Sequence, residues 1–290
     1  MNNTTKSFAD KWRGKGKIFF DSTLTEGSEI RNWIFRRNGW NNLIEFQQFL
    51  AGRNRVLDAG CGNGRVTKLI RMNSDPEKVE IIGVDLVSHD IAEKNLEFDK
   101  NVSFYSADLM QPLADLGKFD FIYSQEVLHH TEDPQIAFHN LANVLRPGGI
   151  LAIYVYKKKP PVREFCDDYV RKQIAELSYD EAIEVAQSFS TFGKELQELQ
   201  LTIRVPDLPV LNIEKGEYDL QQFIYDHFFK CFWNNEMNTT ENDLINYDWY
   251  HPQNCSRHTQ EEVEKWFLEN GLTVTHSCTD QYGITMHGAR

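Results

Sequence analysis

In the stretch "VLDAGCGNGRV" (residues 56–66), Gly60, Gly62 and Gly64 fall on alternate positions after a short apolar run, with Asp58 just ahead of them. Glycines so placed let a chain turn tightly beside a ligand, because they accept backbone angles that a Cβ forbids. The flanking residues separate the ligands that use such turns. A phosphate-binding P-loop ends in Gly-Lys-Ser/Thr, whereas Gly64 is followed by Arg65 and Val66. A dinucleotide turn reads Gly-x-Gly-x-x-Gly, and Arg65 occupies the place of its third glycine. Asp58 adds an electrostatic objection, since a carboxylate there repels a pyrophosphate and attracts an ammonium group. S-adenosylmethionine offers an ammonium and a sulfonium and no phosphate.

Two further acids fit the same ligand. Asp85 closes the strand-like run "VEIIGVDL", and Asp108 closes "NVSFYSADL". Open α/β sheets bind ligands outside the carboxyl ends of their strands, so Asp85 there is placed to hold both ribose hydroxyls as a bidentate acceptor. Asp108 is placed to accept from an adenine amine. The elements that must position these groups follow from periodicity. Strands are predicted at 56–59, 79–86, 101–109, 118–125 and 150–156, with helices between them. Asp133 and Pro134 start one helix, which "RPGG" stops. This repetition implies a parallel sheet covered on both faces. After "KKKPP" about a hundred residues read as helical, with no convincing strand. Order returns at "RHTQEEVEKWFLENGL", where Thr259 and Glu262 form a capping box, and two closing strands follow.

The motifs "VLDAGCGNGRV", "GVDL", "SADL", "FDFIYSQEVLHHTEDP" and "LRPGG" closely resemble those of class I S-adenosylmethionine-dependent methyltransferases. The resemblance covers residues 55–156 and resumes at 257–290. It implies a Rossmann-like α/β fold with a seven-stranded, mostly parallel sheet, an antiparallel last strand and an inserted, mainly helical cap. The domains expected are an N-terminal helical or lid segment (1–54), a cofactor-binding core (55–156 and 256–290) and a substrate cap (157–255). Carried over by position, Asp58, Gly60, Cys61, Gly62 and Gly64 would line the methionine end of S-adenosylmethionine. Asp85 would bind ribose with Leu86 against adenine, Asp108 and Leu109 would meet the adenine amine, and Gln125 would lie beside the transferred methyl. "RHTQEEVEKWFLENGL" and "FADKW" also look like a bacterial subgroup acting on small metabolites and cell-surface glycans.

Methyl transfer is an in-line displacement at an already activated carbon, so the protein must align the acceptor and exclude water. A hydroxyl acceptor needs a general base; an amine needs only to be neutral. Glu126, His129 and His130 follow the fourth strand and are the catalytic candidates, an imidazole being a natural base near neutral pH. A plainer reading packs one histidine on the sheet and bonds the other to a backbone carbonyl. In the cap, residues 205–255 carry nine acidic side chains against Lys215 and Lys230, together with ten aromatics. Tyr225, Trp233, Tyr247, Trp249 and Tyr250 are the substrate candidates among them. Aromatic faces mixed with carboxylates suit a cationic amine or guanidine; alternatively the aromatics are the cap's own core and the acids its solvated outside.

His251, Cys255 and His258 have spacings that could begin a zinc site, but no fourth ligand is evident nearby and no metal is expected. The formal net charge of −12 argues against nucleic acid as the main partner. "KWRGKGK" is the one visible basic cluster. Five cysteines without a C-x-x-C pair suit free thiols in a reducing compartment. With no apolar run of membrane-spanning length and no signal-like leader, the cytoplasm is the default address. A small-molecule acceptor, modified at nitrogen or oxygen, is the leading expectation, and a homodimer is admitted. The competing readings are methylation of a sugar hydroxyl in glycan assembly, methylation of RNA, and a cofactor-binding regulator without turnover.

Overall fold

The computed structural model describes residues 2–13 and 15–290; Gly14, inside the basic stretch, lies outside the described residues. Helices α1 (Asn3–Trp12), α2 (Phe20–Leu24), α3 (Glu29–Arg37) and α4 (Leu43–Ala51) precede the first strand. Ser28 caps α3 by accepting the Arg31 N–H, and Asn42 caps α4 by accepting that of Glu45. Phe35, Trp40, Phe46 and Phe49 pack against one another, and Trp40 and Phe49 reach Tyr123 and Phe121 of the sheet.

The sheet is built from β1 (Arg55–Ala59), β2 (Glu80–Asp85), β3 (Val102–Ser106), β4 (Phe119–Gln125) and β5 (Leu145–Tyr156), interleaved with α5 (Arg65–Met72), α6 (His89–Asn95) and α7 (Pro134–Asn143). These five strands pair in parallel. Asp133 caps α7 through the N–H groups of Gln135 and Ile136, with Pro134 in its first turn. The residues "RPGG" do not merely stop that helix. They lie inside β5, beside a register irregularity in its pairing with β4. A bulge absorbs proline and glycine, which a regular central strand would not tolerate.

Residues 158–255 fold from α8 (Pro161–Ile174), α9 (Tyr179–Glu198), β6 (Thr202–Val205), β7 (Gly216–Asp219), α10 (Leu220–His227) and α11 (Thr239–Tyr250). The strands β6 and β7 form an antiparallel pair where none was expected. Their cross-strand partner is a charge pair, Arg204 with Glu217 at 2.7 Å, and both strands are largely exposed. Such strands carry no alternating apolar pattern to read. The chain closes with α12 (Gln260–Glu269), capped by Thr259 and Glu262, then β8 (Thr273–Thr279) and β9 (Gly283–Ala289). The seven-stranded sheet has the order β3-β2-β1-β4-β5-β9-β8, with β9 antiparallel to both neighbours. It is the Rossmann-like arrangement the motifs imply.

The chain forms two compact units: a core of residues 12–157 with 256–290, and an insertion unit of residues 158–255 with 1–11. The segment 1–54, expected as one piece, is thus divided. Trp12 packs beside Gly62 in the core, whereas Lys11 pairs with Asp248 in the insertion unit. Among the described residues, no helix is long and apolar enough to cross a membrane.

Candidate cofactor and active site

The strand order reverses between β1 and β4, and the crevice outside their carboxyl ends is where sheets of this kind hold ligands. Residues 60–64 turn there, with all three glycines in the left-handed region (φ 82°, 55° and 84°). Each is also hemmed in. A Cβ on Gly60 would lie 2.3 Å from a methyl of Val127, and one on Gly62 3.1 Å from the Trp12 indole. Backbone N–H groups of Gly60 and Cys61 donate to the Val84 carbonyl, which pins the turn to β2. The Cys61 side chain points away, into a small apolar cluster with Phe20, Ala92, Leu96 and Phe104. Burial pushes its thiol pKa well up, so Cys61 serves the turn through its backbone and not through sulfur.

Asp85 ends β2 as expected. Its Oδ1 accepts the N–H groups of Val87 and Ser88, and its Oδ2 accepts only that of Gly62 at 3.0 Å. A carboxylate has about four lone-pair sites, so Oδ2 is the freer oxygen. The expected bidentate grip on two hydroxyls therefore narrows to one oxygen. Leu86 beside it is 46% exposed, an apolar surface at the sheet's ligand edge. Asp108 does not end a strand: β3 stops at Ser106, and Asp108 sits in the following turn, accepting the Met110 N–H. Leu109 is buried in the main core, and its carbonyl accepts from Asn140.

Asp58 is 2% exposed and accepts the Thr67 hydroxyl at 2.5 Å. Burial raises its pKa to about 6, against the Thr67 bond and the Arg65 charge, which lower it. A carboxylate desolvated in this way gains most from a cation beside it.

Gln125, at the end of β4, shows a feature the sequence did not. His287 on β9 is buried, its pKa is pushed down to about 3, and its Nε2 lies 2.8 Å from Asn38 Oδ1. Asn38 donates to the Tyr123 hydroxyl at 3.0 Å, which donates to Gln125 Oε1 at 2.7 Å. The bonds all run in one direction. They leave the Gln125 amide NH2, buried and with no protein acceptor, as the end of the line. Tyr123 and Gln125 lie two apart on one strand face, a legible signal; their partners Asn38 and His287 come from distant segments.

The catalytic candidates separate. Glu126 has φ 61°, and its carboxylate pairs with Arg65 at 3.0 Å, so it is held as an ion pair. His129 is fully buried, stacked on Tyr156 with ring centroids 3.6 Å apart, and its carbonyl accepts from the Ser256 N–H. His130 is partly exposed and meets Tyr156 edge-on.

In the insertion unit, Tyr225, Tyr247, Trp249 and Tyr250 are buried and Trp233 half-buried. Tyr247 bonds Ser7 and stacks on His251; Tyr250 donates to Asp167 and accepts the Lys230 N–H. These aromatics are that unit's own core. The positive charges of Lys159, Arg163, Arg171 and Lys230 surround the Trp249 ring at 4.9–6.0 Å, and Arg163 lies 4.8 Å from that of Tyr225. The faces of Trp249 and Tyr225, two of the rings expected to receive a cationic acceptor, are already within reach of the protein's own cations. Both His251 ring nitrogens are engaged, by Ser7 and the Leu177 carbonyl. Among the described residues, no group of three or more His, Cys, Asp or Glu could hold a metal ion.

The geometry fits S-adenosylmethionine: a buried carboxylate for its ammonium, an acceptor oxygen and an apolar side chain at the end of β2, and an unsatisfied amide beside them. Comparison with known proteins agrees. The methyltransferase-domain family matches residues 57–153. An O-methyltransferase of Aspergillus nomiae is 38% identical over 105 residues, 34% of this chain and 45% of that protein. The ubiquinone biosynthesis O-methyltransferase of Coxiella burnetii is 26% identical over 197 residues, 65% of this chain and 80% of that one. The matched segment thus spans less than half the length of the fungal relative. Among solved structures, PKMT2 of Rickettsia typhi in complex with S-adenosylhomocysteine has a TM-score of 0.54 at 15% identity, covering 86% of this chain and 52% of that one. That likeness is one of fold.

Proposed function

We propose that this chain, whose residues 57–153 match the methyltransferase-domain family, is a class I S-adenosylmethionine-dependent methyltransferase that methylates a hydroxyl of a small molecule. The observation that carries this reading is the convergence of Asp58, the glycine turn, Asp85 and the Gln125 amide at the carboxyl edge of β1, β2 and β4. Both curated relatives described above are O-methyltransferases by name, which supports oxygen over nitrogen as the accepting atom.

When bound, S-adenosylmethionine supplies a methyl group activated on a sulfonium. The chain's own residues bind and align. Asp58 faces the ammonium, Oδ2 of Asp85 accepts from a ribose hydroxyl, Leu86 covers adenine, and Asp108 accepts from the adenine amine. Gln125, its Oε1 locked by Tyr123, offers its NH2 as a fixed donor at the edge where the methyl departs. A hydroxyl must lose its proton as it attacks. We assign that proton to His130, because Glu126 is neutralised by Arg65 and the His129 ring is enclosed in the aromatic stack. The free thiols suit the cytoplasm as the place of action.

Calorimetry with S-adenosylhomocysteine, paired with a wild-type versus Asp85→Ala comparison, tests the reading. Binding that the substitution weakens is expected. No binding to the wild-type protein would overturn it.

A further inference from the structure

Helix α8 is inside out. Arg163, Asp167 and Arg171 lie on its buried face, whereas Phe165 is 75% and Tyr169 60% exposed. The inward charges are held. Arg163 donates from Nε to Asp167 at 2.5 Å, and Arg171 donates from Nη2 to the Trp249 carbonyl of α11 at 2.8 Å. The outward side needs another explanation. Val162, Phe165, Cys166, Tyr169, Val170 and Gln173 recur at i, i+3, i+4, i+7, i+8 and i+11, and none of them is charged. That spacing is one stripe of a helix, of the kind that packs on a neighbour. Beside the stripe is a hollow of about 220 Å³, walled by its four central side chains on one side and by Phe189 and Phe229 on the other. Phe192 extends that wall, stacked on Phe229 with centroids 5.9 Å apart, and is itself 44% exposed. An apolar cavity of about 150 Å³ holds a benzene ring, so this hollow has room for one aromatic side chain. A projecting ring and a hollow for a ring thus sit side by side on one face.

We propose that the outer face of α8 is where two copies of this chain associate about a two-fold axis, Phe165 of each copy entering the aromatic hollow of the other. Symmetry selects the occupant. A two-fold interface needs a patch complementary to itself, and a knob beside a matching hole is such a patch. A neutral stripe also meets its own copy without opposing like charges. The area agrees. At about 200 Å² for each aromatic side chain, Phe165, Tyr169 and Phe192 offer about 350 Å² per copy, or about 700 Å² across the axis. That is an apolar centre for an interface of roughly 1,200 Å², the size at which specific association begins. The inference stands apart from the methyltransferase reading.

Size exclusion with light scattering, run on the full-length protein over a range of concentrations, tests the proposal. A dimer is expected, and Phe165→Glu should raise its dissociation constant about thirtyfold or more, the effect of losing a central aromatic anchor. Phe165 is largely exposed, so the variant keeps the wild-type circular dichroism spectrum. Tyr169→Glu repeats the measurement should Phe165→Glu fail to fold. Cys166 supplies a reading that needs no disruptive variant. It lies on the stripe, so a short bismaleimide joins two copies covalently, and Cys166→Ser abolishes the product. Wild-type protein that is monomeric at every concentration overturns the proposal. So does a dimer that both glutamate variants leave intact, or a cross-link that survives Cys166→Ser. Oligomers that keep growing with concentration overturn the two-fold. A monomer that instead binds an apolar dye, with binding lost in Phe165→Glu, gives the hollow to a small apolar ligand and overturns the second copy.

Discussion

In the core unit the buried ionisable group beside the glycine turn is a carboxylate, Asp58, with its pKa raised; in the insertion unit the groups gathered around Trp249 are cations, with both lysine pKa values lowered. Desolvation disfavours the charged form in both places. The first gains from a cation beside it, and the second is held by carboxylates, Asp167 on Arg163 among them. The insertion's acids are divided between surface and interior. Asp207, Glu214, Glu217, Asp219 and Glu236 are exposed, the buried Glu241 sits in the first turn of α11, where the helix dipole favours it, Asp226 and Asp248 are half-buried, and Asp243 is buried.

Four experiments break or sharpen that contrast. The largest effect belongs to the proton acceptor. His130→Gln is expected to lower kcat about 10²–10⁴-fold with S-adenosylhomocysteine affinity intact, and the same change at His129 to act mainly on stability. A steady-state comparison in which His130→Gln loses less than about tenfold would remove it as the base.

Next is Asp85. Its carboxylate orders the turn through Gly62 and offers one oxygen to the ligand, so Asp85→Ala should cost about 1.5–3 kcal/mol of cofactor binding. Calorimetry on the folded variant giving an unchanged Kd would reject the assignment.

The third effect is a pH profile. Asp58 must be ionised to hold an ammonium and titrates at about 6, so S-adenosylhomocysteine affinity is lost as pH falls through that value. Below it the loss approaches about tenfold per pH unit, and Asp58→Asn flattens the profile. A flat profile in the wild-type protein would remove Asp58 as the group that holds the ammonium.

The smallest effect tests the directional chain behind Gln125. Tyr123→Phe removes the hydroxyl that locks Oε1, leaving the amide free to turn over, and costs about 0.5–1.5 kcal/mol of cofactor affinity. His287→Gln, which keeps a donor toward Asn38, is expected to cost less. Equal affinity in Tyr123→Phe and wild type would show that the amide is positioned by something else.

The sequence by itself determined the sheet, the turn and the acids. Local chemistry suffices for these: glycines at positive φ, apolar runs of strand length, Asp133 and Thr259 as caps. These signals lie within a few residues of one another, so neighbours in the chain carry them. Legibility ended where partners come from far apart. Nothing near Gln125 announces Asn38 or His287, which lie more than eighty residues away on either side. Composition over residues 205–255 counted Lys230 with the surface and left out Lys159 and Arg163 altogether. Only the tertiary structure turned the charged face of α8 inward and assembled four cations on one tryptophan. Burial changes the free energy of a charge by several kcal/mol, and it belongs to a fold and not to a residue.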